Sequence, residues 1–416
     1  MMDDKSKNVL VIGFNTRPLA YSLNQAGYNV YAVDFFGDLD LYPIVKDCLI
    51  VIKELGSDYN SAKGIYSHYL AEFTIDLLKK YPNLDYLIIG SGLDDGIKER
   101  SLILDEITKN EHQIVNVNNK LDTIIKSRDI ELIYKLLKNN NYYVPITISL
   151  AKFLNGTSLL VFPVILKKRN SSGGLNIFKI DNEEKLEFII KKLEIQDSNY
   201  KDWVIQEYIQ GIPVSCSTIS NGNETEIISI NRQIIGEKFL YSPKEFMYCG
   251  NVVPANIFKK DEKLISEISI YLANELNLMG INGFDYVLRN HYPYLMEINP
   301  RIPGSIRASE SALNLNLLDL HLKSFDLNSW ETIKQVLRTS KFKYFSTKLI
   351  LFSPKRLKNK IIKQINEIEN VHDKNDPEIP ILVGAPICTV LFEAETFNES
   401  YFGALKIIDK IKQIIN

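Results

Sequence analysis

Two carboxylates and an amide near residue 290 have the types and spacing of a cation site. Asp285 and Glu297 lie on two strand-like segments, GFDYVLR and YLMEINP, joined by the polar turn RNHYP. In a tight antiparallel hairpin such positions can face each other, and Glu297 and Asn299 share one face of a strand. Together they would make a hard, oxygen-only site suited to Mg²⁺ bridged by nucleotide phosphates. The alternative is a pair of solvated acids, with Asn299 turning the chain into Pro300. Leu295, Met296 and Ile298 flank Glu297, and a carboxylate on a covered apolar strand needs a partner. Arg301 follows, and its planar fork suits either a phosphate or acyl-phosphate charge or an internal salt bridge to one of these acids.

Lys167 ends an apolar strand and precedes the loop Asn170, Ser171, Ser172, Gly173, Gly174. A fixed cation beside unobstructed backbone N–H groups can cradle phosphate oxygens, although a Gly/Ser string between strands also makes a plain hairpin turn. It lacks the spacing of a P-loop. The heptad IQEYIQG, Ile205 to Gly211, can present main-chain groups to an adenine edge, or be only a strand carrying a tyrosine. The five histidines show no ligand spacing.

Elements must hold these groups. NVLVIGFN, a helical segment and NVYAVDFF read as strand, helix and strand; a helix over Tyr66 to Lys80 leads to a third run, LDYLIIGSG. Strands without polar alternation, separated by helices, predict a doubly wound parallel sheet with ligands at the carboxyl ends of its strands. Gly13, Asn15 and Arg17 stand at the first such end, Asp34 at the second and GSGLDDG at the third. GFNTRP is not the GxGxxG fingerprint, which argues against a nicotinamide dehydrogenase, and Asp34 can cap a helix as readily as hold a ribose. One long helix is expected over Asn119 to Asn141, with Leu132, Leu136 and Leu137 on one side. VILKK, LNIFKI, a helix from Glu183 to Leu193 and DWVIQEYI predict a small lid-like unit. PVSCSTIS, TEIISINRQ, INGFDYVLR and YPYLMEINP predict an antiparallel sheet covered on one face by a helix over Asp261 to Leu276. Further strands and a helix from Ser400 to Ile415 close the chain.

Composition narrows the function classes. The 416 residues carry 49 basic against 51 acidic side chains, without the basic excess of a dedicated nucleic-acid or anionic-membrane binder. No stretch approaches the roughly 20 apolar residues that span a bilayer. The acidic start does not resemble a signal peptide, so a cytoplasmic protein is expected. Cys48, Cys216, Cys249 and Cys388 are far apart, as reduced, buried thiols would be.

Read in order, FPVILK, the NSSGG loop, VIQEYIQG, GFDYVLR and LMEINPRIPGS resemble the ATP-grasp superfamily, in the flavour of biotin carboxylase and archaeal-type ATP-dependent carboligases. That resemblance implies an N-terminal α/β domain (residues 1–117), an ATP-grasp domain (118–325, lid about 145–205) and a small β-rich C-terminal domain (326–416). It implies ATP as co-substrate, contacted by Lys167, the loop Ser171 to Gly174, Arg128 in place of a more usual basic residue, and Glu207, Tyr208 and Ile209 around adenine. Asp285, Glu297 and Asn299 would hold Mg²⁺, with Mn²⁺ a substitute, and Arg301 would stabilise the transferred phosphoryl group. The implied reaction activates a substrate carboxylate as an acyl phosphate for capture by an amine; bicarbonate activation and non-catalytic ATP binding are the alternatives. Asn15 and Arg17, with Gly304, Ser305 and Arg307, would bind the acceptor. The expected partners are small carboxylates and amines, with neither nucleic acid nor membrane, and the resemblance allows a homodimer. RIPGS replaces the polar string that follows the metal motif in biotin carboxylase, and no ribose contact is assigned after the hinge GIPVS.

Overall fold

The apolar run after Lys7 forms strand β1 (Asn8–Gly13), buried from Val9 onward. In the computed structural model, which describes residues 7–56, 65–109, 113–156, 160–169, 176–195 and 197–416, this strand centres a five-stranded parallel sheet. Its members are β2 (Asn29–Asp34), β3 (Asp47–Ile50), β4 (Tyr86–Ile89) and β5 (Val115–Asn116), in the order β3-β2-β1-β4-β5. Crossover helices Arg17–Gln25, Tyr66–Lys80 and Ile97–Lys109 cover the sheet. That coverage is why the strands read as apolar runs without polar alternation.

The expected helix over Asn119 to Asn141 is two helices, Leu121–Arg128 and Ile130–Asn139. The break falls at Asp129, whose side chain accepts from the backbone N–H groups of Glu131 and Leu132 and so starts the second helix. Its buried face is Ile133, Tyr134 and Leu137; Leu132 and Leu136 are only half-buried. The break also leaves Arg128 as the last residue of the first helix, where its side chain reaches the central cleft.

The segment expected to act as a lid forms a four-stranded antiparallel sheet: β6 (Thr147–Ser149), β7 (Val164–Lys168), β8 (Ile177–Ile180) and β9 (Trp203–Glu207), with helix Glu183–Lys192. The connection Tyr208 to Gly211 carries the chain into the third sheet. A Cβ on Gly211 would lie 2.3 Å from the Leu288 carbonyl oxygen, so that close approach requires glycine.

The third sheet has eight antiparallel strands. They are β10 (Ile212–Asn221), β11 (Thr225–Ile235), β12 (Tyr248–Val253), β13 (Met279–Arg289), β14 (Tyr292–Asn299), β15 (Phe345–Phe352), β16 (Val371–His372) and β17 (Pro386–Ala394). The order is β14-β13-β10-β11-β12-β15-β17-β16, so the strands after residue 325 continue the same sheet. Helix Lys259–Glu275 packs Ile265, Ile268 and Leu272 in one core with Val214, Cys216, Phe284 and Tyr286. The intervening residues turn the other way, and there the paired positions Glu297, Asp285, Ser215 and Asn231 make a polar row across four strands. Leu349, Leu351, Cys388 and Val390 share a second core with Ala404, Ile408 and Ile411 of helix Phe397–Ile415. Cys216, Cys249 and Cys388 are buried, Cys48 is half-buried, and all four are free.

Candidate active site

A cleft of about 970 Å³ is lined by the two antiparallel sheets and by the segments that follow β1, β2 and β4 of the parallel one. Its floor is the β13–β14 hairpin, where Asp285 and Glu297 are direct cross-strand partners. The pairing shifts between Asp285 and Tyr286, since Tyr286 pairs with Leu295, and Met296 is the extra residue. This bulge keeps Glu297 and Asn299 facing the cleft after the strand has buried Leu295 in its core.

Asp285 accepts hydrogen bonds from the side-chain amides of Gln233 (2.8 Å) and Asn299 (2.9 Å). Glu297 meets an Arg128 guanidinium N–H at 3.3 Å, while another N–H of Arg128 donates to Asp95 at 2.6 Å. Burial pushes both floor carboxyls up, Asp285 to about 6 and Glu297 to about 7, and Asp285 itself adds to the rise at Glu297. Two carboxyls whose charged forms are costly, with an amide between them, fit a divalent cation that would supply the missing positive charge. Among the described residues no group of three or more His, Cys, Asp or Glu side chains could hold a metal, so nucleotide phosphates would have to complete the shell. Asn299 points its amide N–H₂ at Asp285 and its oxygen toward Arg301 (3.4 Å), so joining that shell requires the amide to turn over.

These positions give a pH dependence. Both folded-state values lie above the ordinary carboxylate range, so the stability linked to these groups is complete at low pH and is lost as pH rises through about 6 and 7. A cation must displace those protons. The apparent Mg²⁺ affinity of the nucleotide-bound chain should therefore weaken below pH 7, by up to about tenfold per pH unit for each proton displaced, and level off above pH 8. Calorimetric Mg²⁺ titrations across this range check it; a flat profile would remove the hairpin from the metal site.

Lys167 reaches the cleft from the lid, on the same face of β7 as Ile165. Burial pushes it down to about 8, against the opposing pull of Glu297. Among the described residues it has no hydrogen-bonded partner, which leaves its N–H donors for a ligand. Ser171, Ser172, Gly173 and Gly174 lie outside the described residues. Glu207, Tyr208 and Ile209 line the cleft where the lid joins the eight-stranded sheet. There the Glu207 carboxylate is held by Arg289 (3.1 Å) and the Ile146 N–H (3.3 Å), and Lys179 lies over the Tyr208 ring at 4.7 Å.

Arg301 spans two parts of the fold. Its Nε donates to Asp94, in the loop after β4, and a second guanidinium N–H donates to the Ile302 carbonyl (3.2 Å). Asp94 is 5% exposed. Burial works to raise its pKa, but Arg301, then Arg128 and Arg100, outweigh it and hold the carboxyl below its ordinary range.

The acceptor candidates divide. Asn15, Gly304 and Ser305 line the cleft. Arg17 and Arg307 do not: Arg17 is buried against Asp373 (2.8 Å) and Asp40 (3.5 Å), and Arg307 pairs with Glu310 (2.6 Å) over the Tyr21 ring. Asp34 accepts from Thr16 N–H and Oγ1 and from the N–H groups of Phe36 and Gly37, so it organises its loops and is not directed at a ribose. Sequence reasoning missed Asp38, Tyr248, Lys348 and Asp373, and named Asp94 only as part of the loop GSGLDDG. Lys348, on β15, is buried at the cleft, donates to the Gly304 carbonyl (2.9 Å), and is pushed down by that burial. The only local signal for it is a lysine inside the apolar run FSTKLILF.

Residues 129–305 match the protein family described as "ATP-grasp domain". An uncharacterized protein of Methanocaldococcus jannaschii is 29% identical over 92% of this chain and 87% of its own. A D-alanine–D-alanine ligase of Flavobacterium psychrophilum is 27% identical over 35% of this chain, which spans under half (43%) of that enzyme's length. Among solved structures, L-amino acid ligase from Bacillus licheniformis superposes with a TM-score of 0.66 at 16% identity, over 97% of both chains. Biotin carboxylase from Campylobacter jejuni does so at 0.68 and 16%, over 95% of this chain and 89% of that one. At such identities the structural likeness is one of fold. Among the described residues no helix is long and apolar enough to cross a membrane.

Proposed function

With an ATP-grasp domain carried over residues 129–305 as the premise, we propose that the chain is an ATP-dependent ligase joining a carboxylate to an amine. The observation that carries this reading is the cross-strand pairing of Asp285 with Glu297 on the floor of a cleft that Lys167 and Arg301 also line. A substrate carboxylate oxygen attacks the γ-phosphorus of ATP, the bond to the β-phosphate oxygen breaks, and ADP leaves. The amine nitrogen then attacks the acyl phosphate carbonyl, the carbon–oxygen bond to phosphate breaks, and the amine proton is lost.

Such phosphoryl transfer asks mainly for positioning and charge neutralisation. Lys167 donates to phosphate oxygens, and binding them restores the proton that burial makes easy to lose. Arg301, fixed by Asp94, offers its remaining N–H groups to the transferred phosphoryl group. Glu297, Asp285 and, after its amide turns, Asn299 would hold Mg²⁺, which would supply positive charge to neutralise the nucleotide phosphates. Glu207, Tyr208 and Ile209 form the wall for the adenine ring.

Mixing the full chain with Mg-ATP, candidate acids and amines should release ADP and phosphate in step with amide product. Release of AMP and pyrophosphate would sink the acyl-phosphate route. Bicarbonate with free biotin serves as the contrasting arm, and no ADP release is expected from it.

A further inference from the structure

The cleft extends beyond the floor hairpin, between the carboxyl ends of β1 and β2 and the strands β12, β15 and β17. On the first wall, Asp34 accepts from both Thr16 (2.6 Å to its N–H) and Gly37 (2.7 Å). Asp34 thereby ties the two loops together, and the residues next to those donors, Asn15 and Asp38, both line the cleft. Asp38 is 4% exposed, and among the described residues its Oδ2 has no hydrogen-bond donor. Asn15 Oδ1 is likewise buried without a donor. Two orphaned acceptors on one wall of a cleft are costly unless a ligand brings N–H groups to them.

The surrounding charge favours a cation. Burial pushes the Asp38 carboxyl well up, Asp373, Asp34 and Asp40 add to the rise, and Arg17 opposes it. Arg17 is itself committed to Asp373 and Asp40. Phe14 and Phe36, packed edge to face with centroids 4.9 Å apart, also line this part of the cleft and offer apolar and aromatic surface to an organic substituent.

We propose that Asn15 and Asp38 form the subsite for the nucleophile, and that it takes an organic primary amine with the nitrogen between the two side-chain oxygens and the carbon chain against Phe14 and Phe36. This rests on the carboxylate–amine reading and specifies its second substrate. Neither residue is assigned a part in nucleotide binding.

Thermal unfolding of the full chain with butylamine or phenethylamine, against 1-butanol and 2-phenylethanol, tests it without turnover, because a ligand of the native state raises apparent stability. The amines should raise the melting temperature and the alcohols should not. Asp38→Asn should weaken the amines' apparent affinity about tenfold or more, the range for a hydrogen bond to a charged group. Equal shifts from amine and alcohol, equal shifts from K⁺ or Mg²⁺ alone, or full amine binding by Asp38→Asn would each overturn the subsite. If Asp38→Asn does not fold, Asn15→Leu and the amine–alcohol contrast in the unmodified chain decide. A missing Mg-ATP shift would instead overturn the ligase reading while leaving the amine result intact.

Discussion

Replacing Glu297 by glutamine should cut ADP formation by about 10²–10³-fold or more, the scale for removing one preorganised contact where charge develops. The loss should come with a weakened Mg²⁺ dependence of nucleotide binding. Stability should move differently. Burial and Asp285 disfavour the Glu297 charge, so above pH 7 the uncharged isostere relieves a repulsion in the metal-free chain. The melting temperature of Glu297→Gln at pH 8 should equal or exceed that of the unmodified chain, and the difference should shrink as pH falls through 7 and vanish near pH 4, where Glu297 is protonated in the folded chain and largely so in the unfolded one. Arg128 retains its 2.6 Å contact with Asp95 in the variant, so no arginine is left without an acid. Steady-state kinetics and unfolding at the two pH values check both parts; turnover within threefold of the unmodified chain would exclude Glu297 from the metal site.

Arg301 should give the second large effect, with the opposite pattern. Arg301→Met removes the largest favourable influence on the carboxyl of Asp94, which is 5% exposed. Stranding a buried charge in this way costs about 3–5 kcal/mol, so the denaturant midpoint should fall markedly. Asp94 then titrates higher. The stability it contributes, present above its unfolded pKa and lost at acid pH in the unmodified chain, should start to fail at a higher pH. The double variant Asp94→Asn/Arg301→Met should recover most of the stability and none of the activity. Recovery of both would make Arg301 a structural residue only. Arg301→Lys keeps the charge but loses the planar fork, and should lower kcat far more than it changes the KM for ATP.

Much of this arrangement is legible in the sequence because it is local. The unalternating run at β1, the helix Tyr66–Lys80 and the hairpin around RNHYP all lie within short windows, and the hairpin sets Asp285 opposite Glu297. The parts that were not legible depend on distant pairing. Asp94 and Arg301 meet across 207 positions, and Arg17 and Asp373 across 356, so no local period announces either pair. β12, the strand YCGNVV, is short and carries Gly250 where β15 passes so near that a Cβ would lie 2.0 Å from the Lys348 carbonyl oxygen. That strand and the lysine on its neighbour form the far wall of the cleft, which explains why the acceptor side was sketched only from the strand ends and the string after Arg301. The polar interruption at Asp129 was visible as SRDI, but only the cap geometry shows that it ends one helix and starts another.

The continuity of the eight-stranded sheet through β12 and β15 limits how this protein can be divided. A fragment ending near residue 325 would strip β12 of the partner on its outer side and leave a row of unpaired N–H and C=O groups next to the nucleotide floor. Exposed edges of that kind recruit other chains and promote aggregation. The candidate site and the last strands are therefore tied together: exchanging the C-terminal segment would alter the edge chemistry of the central sheet as well as the cleft wall that carries Lys348.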